Sequence, residues 1–264
     1  MAAVAGSIRD SGCRPGLWFR PLLSREPGPG TRAEQVGDEW PLDPSLPASL
    51  AVVAESVRRF DDWGYELVEH DFSTFDAFGR FHARSDVDAG PTRWGIADTS
   101  RTTAEVLVDL YRTVREAAGE MTILEHVHRV GDDTSVRQWE RTRRMGVNAL
   151  AFRLAQHDRF FAVDADCVPS TPQTPWELNR NFLELVASAG TATFVSVDPA
   201  TRDAQVAGDQ ARAAALAAAG GVSGGVEPLD WQSTPTPRRW RVGAEPRTYA
   251  WERPWGADPW PDGD

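Results

Sequence analysis

Lysine is absent from the sequence, so all 28 of its basic residues are arginine, and 39 acidic residues outnumber them. The formal charge is −11 at pH 7. This balance argues against a nucleic-acid partner, because phosphate backbones are bound by surfaces rich in lysine and arginine. It disfavours docking on anionic lipid for the same reason. A neutral substrate fits the composition better than a polyanion.

Cysteine is scarce, and long apolar runs are missing. Cys13 and Cys167 lie far apart and form no metal-binding or redox spacing, which leaves both a single disulfide and two buried thiols open. No apolar run approaches the roughly 18 residues of a membrane span. The first residues also lack the basic and apolar regions of a signal peptide. The expected location is therefore the cytoplasm.

Short apolar runs alternate with amphipathic helices along most of the chain. This alternation predicts right-handed crossover units and a parallel sheet, and a hydrophobic content of 41% is sufficient for a core. Strands are predicted near residues 17–19, 65–68, 121–125, 127–131, 160–166 and 191–197. Helices are predicted over 46–62, 102–119, 176–190 and 202–219, and from about residue 135. The second of these helices opens with a capping box formed by Thr102 and Glu105.

Three of the predicted strands run directly into acidic residues, namely Asp71, the pair Asp132 and Asp133, and the pair Asp164 and Asp166. Taken alone, such acids more often cap helices or lie in solvated loops. In an α/β barrel, however, the carboxyl ends of the strands converge on the active site, so these carboxylates would face one another. A doubly wound sheet would carry a glycine-rich phosphate loop after a strand. The segment GGVSGG (220–225) follows an Ala-rich helix instead, and we interpret it as a linker.

Around these strand ends the sequence resembles the α-galactosidase (melibiase) families of glycoside hydrolases, particularly the family of bacterial α-galactosidases and raffinose-processing enzymes. The segments that carry the resemblance occur in the family's order. They include RPGLWFRP (14–21), GYELVEHDFSTFDAFGR (64–80), TTAEVLVDLYRTVREAAG (102–119), RVGDDTS (129–135), WERTRRMGVNALAFRLAQH (139–157), FFAVDADCV (160–168) and PWELNRNFLELVASAGTATFVSVDP (175–199).

The resemblance implies an α/β fold, a partial TIM (β/α)8 barrel with strands equivalent to the third to eighth, over residues 1–222. Residues 223–264 are predicted to form a C-terminal β-like extension or the start of a truncated β domain. The family's N-terminal β-sandwich and first two barrel strands have no counterpart here, so we expect a truncated relative or a fragment. Its open sheet edges would need cover, for which a homo-oligomer is one solution.

Carried over position by position, the resemblance implies that Asp71 is the catalytic nucleophile and Asp133 the general acid/base. Six further residues are predicted to contact the substrate: Trp18, Glu69, Arg129, Asp132, Asp164 and Asp166. A retaining glycosidase needs one carboxylate to attack the anomeric carbon and one carboxyl to protonate the leaving oxygen, about 5–5.5 Å apart. The implied substrate is a terminal α-galactoside, and neither a metal nor another cofactor is implied.

Two departures from the family pattern bear on activity. The family usually has a lysine two residues before the nucleophile, and here that residue is Glu69, which offers the sugar a carboxylate instead of a donor. The segment TILEHVHRVGDD (122–133) has no room for the usual fifth-strand motif, loop and helix, which changes how Asp133 would be aimed. Two hypotheses therefore stay open: a retaining hydrolase, and an inactive relative with a carbohydrate-binding or structural role.

Histidines near the same strand ends offer an alternative interpretation. His126 and His128 are spaced to share one strand face, and His70 ends a neighbouring strand. With Glu125 or Asp71 they could form a metal site at the mouth of a barrel. Partly buried, hydrogen-bonded histidines are the favoured interpretation, because the family that the sequence resembles needs no metal.

Overall fold

The chain folds into two units, each with parallel strands covered by helices. A computed structural model describes residues 1–32, 35–79, 95–125, 139, 142–172 and 174–251. The first unit spans Met1–Val127 and the second spans His128–Asp264.

The first unit begins with a helix and then alternates strands and helices. Its elements are α1 (Ala2–Asp10), β1 (Gly16–Phe19), β2 (Leu23–Ser24), β3 (Trp40–Pro41), α2 (Pro47–Asp62), β4 (Leu67–His70), α3 (Ser73–Ala77), α4 (Thr103–Ala118) and β5 (Thr122–Glu125). Strands β1, β4 and β5 form a parallel sheet in that order. The polar segment after β1 contains the short antiparallel pair of β2 and β3, which the sequence did not predict.

One face of this sheet is apolar and packs against α2 and α4. Leu17, Val68 and Ile123 come from successive strands and join the same core as Val57 and Leu110 from the helices. Because side chains alternate along a strand, their neighbours in sequence face away from the helices. The sheet therefore has a core face and an opposite face, and the second of these carries the candidate site.

The second unit contains a second, shorter parallel pair and an antiparallel meander. Its elements are a π-helical turn (Thr142–Gly146), α5 (Val147–Arg153), a 3-10 turn (Leu154–Gln156), β6 (Asp164–Ser170), α6 (Trp176–Ala189), β7 (Ala192–Val197), a 3-10 turn (Pro199–Thr201), α7 (Ala204–Ala218), β8 (Val226–Pro228), β9 (Arg239–Val242) and β10 (Glu245–Thr248). β6 and β7 are parallel, and β9 lies between β8 and β10.

The core of the second unit joins its helices to the meander. Phe182 of α6 and Trp240 of β9 are both fully buried in it. Gly190 ends α6 in the left-handed conformation. A Cβ atom there would lie 2.4 Å from the carbonyl oxygen of Gly220, so the sharp return of the chain at this point requires glycine.

Most predicted elements lie within a few residues of the observed ones. Two strands differ from the prediction, because their backbone pairing extends past the acidic or polar residues at which the prediction ends them. β4 is shifted to Leu67–His70, where it pairs along the whole of β1. The strand predicted over 160–166 instead begins at Asp164 and pairs with β7 up to Ser170. The strand predicted over 127–131 lies outside the described residues.

The structure confirms the α/β class with parallel strands. The closure of these strands into a partial barrel and the boundary between 222 and 223 stay predictions. In the parts of the chain that the structure describes, no helix is both long enough and apolar enough to cross a bilayer.

Helix α4 provides a test of the local sequence signals. The Thr102 hydroxyl accepts from the amide of Glu105, and the Glu105 carboxylate accepts from the amide of Thr102 at 2.8 Å. Replacing Thr102 by alanine removes this cap, and we expect it to lower the free energy of unfolding by about 1 kcal/mol. Chemical denaturation measures the loss. The control Thr103→Ala leaves the capping box intact, and an equal loss there would contradict the capping argument.

Candidate functional site

Asp71 follows β4 directly and is held by three hydrogen bonds. Its amide donates to the carbonyl of Phe19 at 3.1 Å, which extends the parallel ladder by one residue. One carboxylate oxygen accepts from the amide of Phe72 at 2.7 Å, and the other accepts from the indole N–H of Trp18 at 3.3 Å. The carboxylate therefore has a defined orientation at the carboxyl end of the sheet.

Trp18 and Glu69 lie beside this carboxylate on the sheet face opposite the helices. The two residues are direct partners in the register of β1 and β4, and Asp71 shares the strand face of Glu69 because it is two residues further on. The Trp18 side chain is about half exposed, at 51%. The sequence prediction grouped Trp18, Glu69 and Asp71. In the structure these residues share one face of the sheet, where the indole of Trp18 is half exposed.

Phe72 makes the turn that follows Asp71. Its φ angle is +61°, in the left-handed region that residues other than glycine rarely adopt. The same residue precedes the first turn of α3, and its carbonyl accepts from the amide of Asp76 at 2.8 Å. Such a conformation persists only where the surrounding contacts hold it.

A buried ion pair lies directly behind this turn. Arg20, the first residue after β1, donates from Nε and Nη2 to the two carboxylate oxygens of Asp76, at 2.6 and 2.5 Å. The Asp76 side chain is fully buried and that of Arg20 is 19% exposed. The guanidinium carbon also lies 4.2 Å from the centre of the Phe72 ring. One arginine therefore contacts both the turn residue and the helix that follows it.

Burial raises the pKa of Asp76 to about 6, and the negative charges of Asp71 and Glu39 act in the same direction. The hydrogen bonds and the positive charge of Arg20 oppose this rise. The guanidinium thus partly compensates the cost of placing a carboxylate in the protein interior.

His70 belongs to the core face and not to the face of Asp71. Its side chain is 2% exposed, its Nδ1 atom lies 2.8 Å from the hydroxyl of Ser73, and its ring packs 5.4 Å from that of Tyr111 on α4. Burial lowers the pKa of His70 to about 4. The proposal of a metal site that combines His70 with Asp71 is therefore wrong, because strand alternation directs the two side chains to opposite faces.

Three of the predicted site residues, Arg129, Asp132 and Asp133, lie outside the described residues, and so do His126 and His128. Their predicted roles stay predictions. Within the described ranges, no three His, Cys, Asp or Glu side chains come together in a group suited to a metal ion.

Asp164 and Asp166 belong to the second unit, and the structure corrects their position along the strand. They lie at the amino end of β6, whereas the sequence prediction placed them after its carboxyl end. A register irregularity between Asp164 and Cys167 accommodates them. Asp164 accepts from the amide of Asp166 at 2.6 Å, and Asp166, itself at φ +67°, accepts from the amide of Cys167. These local bonds provide acceptors for the amides of Asp166 and Cys167 at the point where the register of the strand is irregular.

Sequence reasoning missed Arg20, Phe72 and Asp76. All three lie inside segments that carry the family resemblance, next to Trp18 or Asp71, and this proximity was the available signal. Their pairing spans 56 residues of chain, so nothing in the local pattern identifies it.

A separate cavity of about 360 Å³ lies in the second unit between α6, α7 and β10. Leu183 and Leu216 contribute apolar surface, and Arg180, Arg212 and Arg247 are among its charged lining residues. None of the predicted site residues lines it. Arg212 and Arg247 already pair with Asp209 and Glu184, so the cavity has no strong excess of charge.

Neither a protein-family model nor a curated protein matches the sequence. Solved structures do match the fold. An α-galactosidase from Thermus thermophilus, in complex with p-nitrophenyl α-D-galactopyranoside, has a TM-score of 0.62 and 21% identity over 95% of this chain and 55% of that chain.

Two glycoside hydrolases with other substrates are also similar. An isomalto-dextranase from Arthrobacter globiformis T6, complexed with panose, has a TM-score of 0.60 and 16% identity over 90% of this chain and 48% of that one. A GH27 β-L-arabinopyranosidase from Geobacillus stearothermophilus has a TM-score of 0.56 and 11% identity, covering 86% and 58%. The chain spans about half the length of these solved structures. The likeness shows that the α/β fold of this chain resembles part of these solved structures, and at such identities it selects no substrate.

The buried state of His70 has a consequence for stability. The ordinary histidine pKa is about 6.5, and in the folded protein it falls to about 4. The unfolded chain therefore binds the proton first, so stability is unaffected above pH 6.5 and is lost as the pH falls from 6.5 to 4, by about 3 kcal/mol in total.

We therefore expect the stability advantage of the wild type over His70→Gln to shrink across this range. Thermal or urea unfolding of both proteins from pH 7 to 4 measures it. Asp76 titrates in the same range in both proteins, so the difference isolates His70. A difference that stays constant with pH would show that His70 is accessible to protons in the folded state.

Proposed function

We propose that this chain is an α-galactosidase-like glycoside hydrolase that cleaves terminal α-galactosides with retention of configuration. One observation carries the proposal: an oriented carboxylate, Asp71, at the carboxyl end of a parallel sheet, hydrogen-bonded to the half-exposed indole of Trp18. In α/β barrels the catalytic residues come from the carboxyl ends of the strands. This choice of substrate class follows the resemblance of the sequence to the α-galactosidase families, and an α-galactosidase in complex with an α-galactoside is among the structures that share the fold.

In the proposed first step, an oxygen of Asp71 attacks the anomeric carbon of the bound galactoside. The bond between that carbon and the leaving oxygen breaks, and Asp133 gives its proton to the leaving oxygen. The products of this step are a free alcohol and a galactosyl ester of Asp71. Each carboxylate oxygen of Asp71 accepts one hydrogen bond in the structure and has a second lone pair for the attack.

In the proposed second step, Asp133 removes a proton from a water molecule, and the resulting hydroxide attacks the anomeric carbon. The ester bond breaks, Asp71 leaves as a carboxylate, and galactose departs with its original configuration. The donors of Trp18 and Phe72 hold the Asp71 carboxylate in place through both steps. Asp133 is assigned here by resemblance.

The exposed face of Trp18 is suited to the apolar C–H surface of a sugar ring. Arg129 and Asp132 are proposed to bind sugar hydroxyls next to Asp133. Asp164 and Asp166 belong to the proposal as further sugar contacts. Each of their carboxylates also accepts from a backbone amide. A homo-oligomer that covers an open strand edge, and a cytoplasmic location, are also part of the proposal.

A second candidate is a relative that binds galactosides without turning them over. Glu69 favours it, because this residue lies on the Asp71 face of β4, where the resembled family has a lysine that donates to the sugar. A second carboxylate offers no donor and repels the charge of the nucleophile.

The two candidates differ in whether the wild type turns over a galactoside, and Asp71→Asn tests whether such turnover depends on Asp71. If the chain is a hydrolase, the wild type cleaves p-nitrophenyl α-galactoside and Asp71→Asn lowers kcat by on the order of 1,000-fold or more, because the amide is not a nucleophile. Release of p-nitrophenol measures turnover. Asp62→Asn, an exposed substitution in the same unit, is the control and retains full activity. Galactose binding by calorimetry without turnover in the wild type would support the second candidate instead.

Glu69 can be tested by separating its charge from its missing donor. Glu69→Met removes the negative charge without adding a donor, and Glu69→Lys also restores the donor of the family pattern. We expect both variants to raise kcat/KM for the galactoside, with Lys above Met, because only Lys adds a donor to the sugar. The same colorimetric assay measures the effect. Lower activity in both variants would show that Glu69 itself supports the site.

A further inference from the structure

We infer that the buried pair of Arg20 and Asp76 is a positioning device for Asp71: it holds the left-handed turn at Phe72 that orients the Asp71 carboxylate. The geometric part of this inference concerns the turn alone. Its consequence for catalysis rests on the proposed function.

The Arg20–Asp76 pair connects two separate segments of the chain. Arg20 is the residue after β1, and Asp76 lies in α3, so their two hydrogen bonds join the end of one strand to the helix that follows the neighbouring strand. Asp71 lies between these two anchors. The amide of Asp71 donates to the carbonyl of Phe19, the residue before Arg20. Both sides of the turn are therefore hydrogen-bonded to the end of β1 or to the residue that follows it.

Arg20 also contacts the turn residue Phe72 directly. The Arg20 guanidinium lies 4.2 Å from the centre of the Phe72 ring, a distance at which a cation is attracted to the aromatic face. The Phe72 side chain is thereby fixed while its backbone keeps φ at +61°. The Phe72 amide in turn donates to Asp71 at 2.7 Å, so a contact that anchors Phe72 also restrains this donor.

The geometry of the pair favours a role in positioning over a contribution to stability alone. A buried ion pair in general adds little stability over an apolar replacement, although breaking it is costly. A bidentate arginine, by contrast, fixes direction, because its planar fork matches the two carboxylate oxygens in one arrangement. Arg20 uses this fork on Asp76 while its guanidinium lies over the Phe72 ring, and lysine has no such fork.

The same unit offers a matched control. Arg32 and Asp43 form an ion pair of 3.1 Å whose side chains are 17% and 3% exposed, close to the 19% and 0% of Arg20 and Asp76. Asp43 serves the backbone of Ser45 and Ala97 and not the Phe72 turn. Removing either arginine breaks a pair of similar burial, so a general loss of stability affects both variants.

The readout is the indole N–H of Trp18, which donates to Asp71 and reports where that carboxylate lies. Protein labelled with ¹⁵N-tryptophan gives indole signals in an NMR spectrum, and the Trp18 signal is the one lost in Trp18→Phe. Asp71→Ala defines its position when the acceptor is missing. We expect Arg20→Gln and Asp76→Asn to move the signal toward that position, and Arg32→Gln to leave it where it is in the wild type.

Arg20→Lys distinguishes a positioning role from a role of charge alone. Lysine keeps the positive charge but loses the fork, so the Trp18 signal is expected to move as it does in Arg20→Gln. If Arg20→Gln does not fold, judged by circular dichroism, the comparison rests on Arg20→Lys and Asp76→Asn. A Trp18 signal that is unchanged in every folded variant of this pair, or that moves equally in Arg32→Gln, overturns the inference.

Enzyme kinetics provide a second test of the inference, beside the NMR comparison. We expect Arg20→Lys to lower kcat by on the order of 100-fold with a smaller change in KM, because a misaimed nucleophile slows the chemical step more than it weakens sugar binding. Arg32→Gln is expected to retain kcat below its own unfolding temperature. If the wild type shows no turnover, the proposed function fails, and the NMR comparison still decides whether the pair positions Asp71.

Discussion

The parallel register between β1 and β4 is the constraint on which the candidate site depends. It places Trp18 beside Glu69 and brings the amide of Asp71 to the carbonyl of Phe19. A shift of one residue would turn every side chain of β4 to the other face, which would bury Asp71 and expose Val68. Burial of the apolar face against α2 and α4 therefore fixes the site as firmly as it fixes the core.

Two features near this register are energetically unfavourable. Phe72 adopts a backbone conformation that is unfavourable for a side chain with a Cβ atom, and Asp76 is a carboxylate without access to water. Both are held by Arg20, which pairs with the acid and packs on the ring. Strain and buried charge at one point are typical of functional sites. Their coincidence next to Asp71 supports the proposed role of this strand end.

The second unit shows how acidic residues can be misleading in sequence. Asp164 and Asp166 have the same pattern as Asp71, an apolar run followed by acids, yet they begin a strand instead of ending one. Their carboxylates bond to amides one or two residues away, and the strand continues to Ser170. The likeness to solved glycosidases concerns the fold, and the chemistry of this chain therefore has to be judged from its own residues.

By itself the sequence determined the α/β class, the bounds of most helices and the grouping of Trp18, Glu69 and Asp71. The fold class and the helix bounds depend on local signals, namely the hydrophobic period, the capping box of Thr102 and the glycine after α6. The grouping of the three site residues followed from the resemblance of the ordered motifs to a known family. Only the tertiary structure decided that His70 faces the core, that β6 starts at Asp164, and that Arg20 holds Asp76 and Phe72. These features depend on pairings between residues far apart in the chain, whose partners are set by strand register and burial and leave no mark in the local pattern.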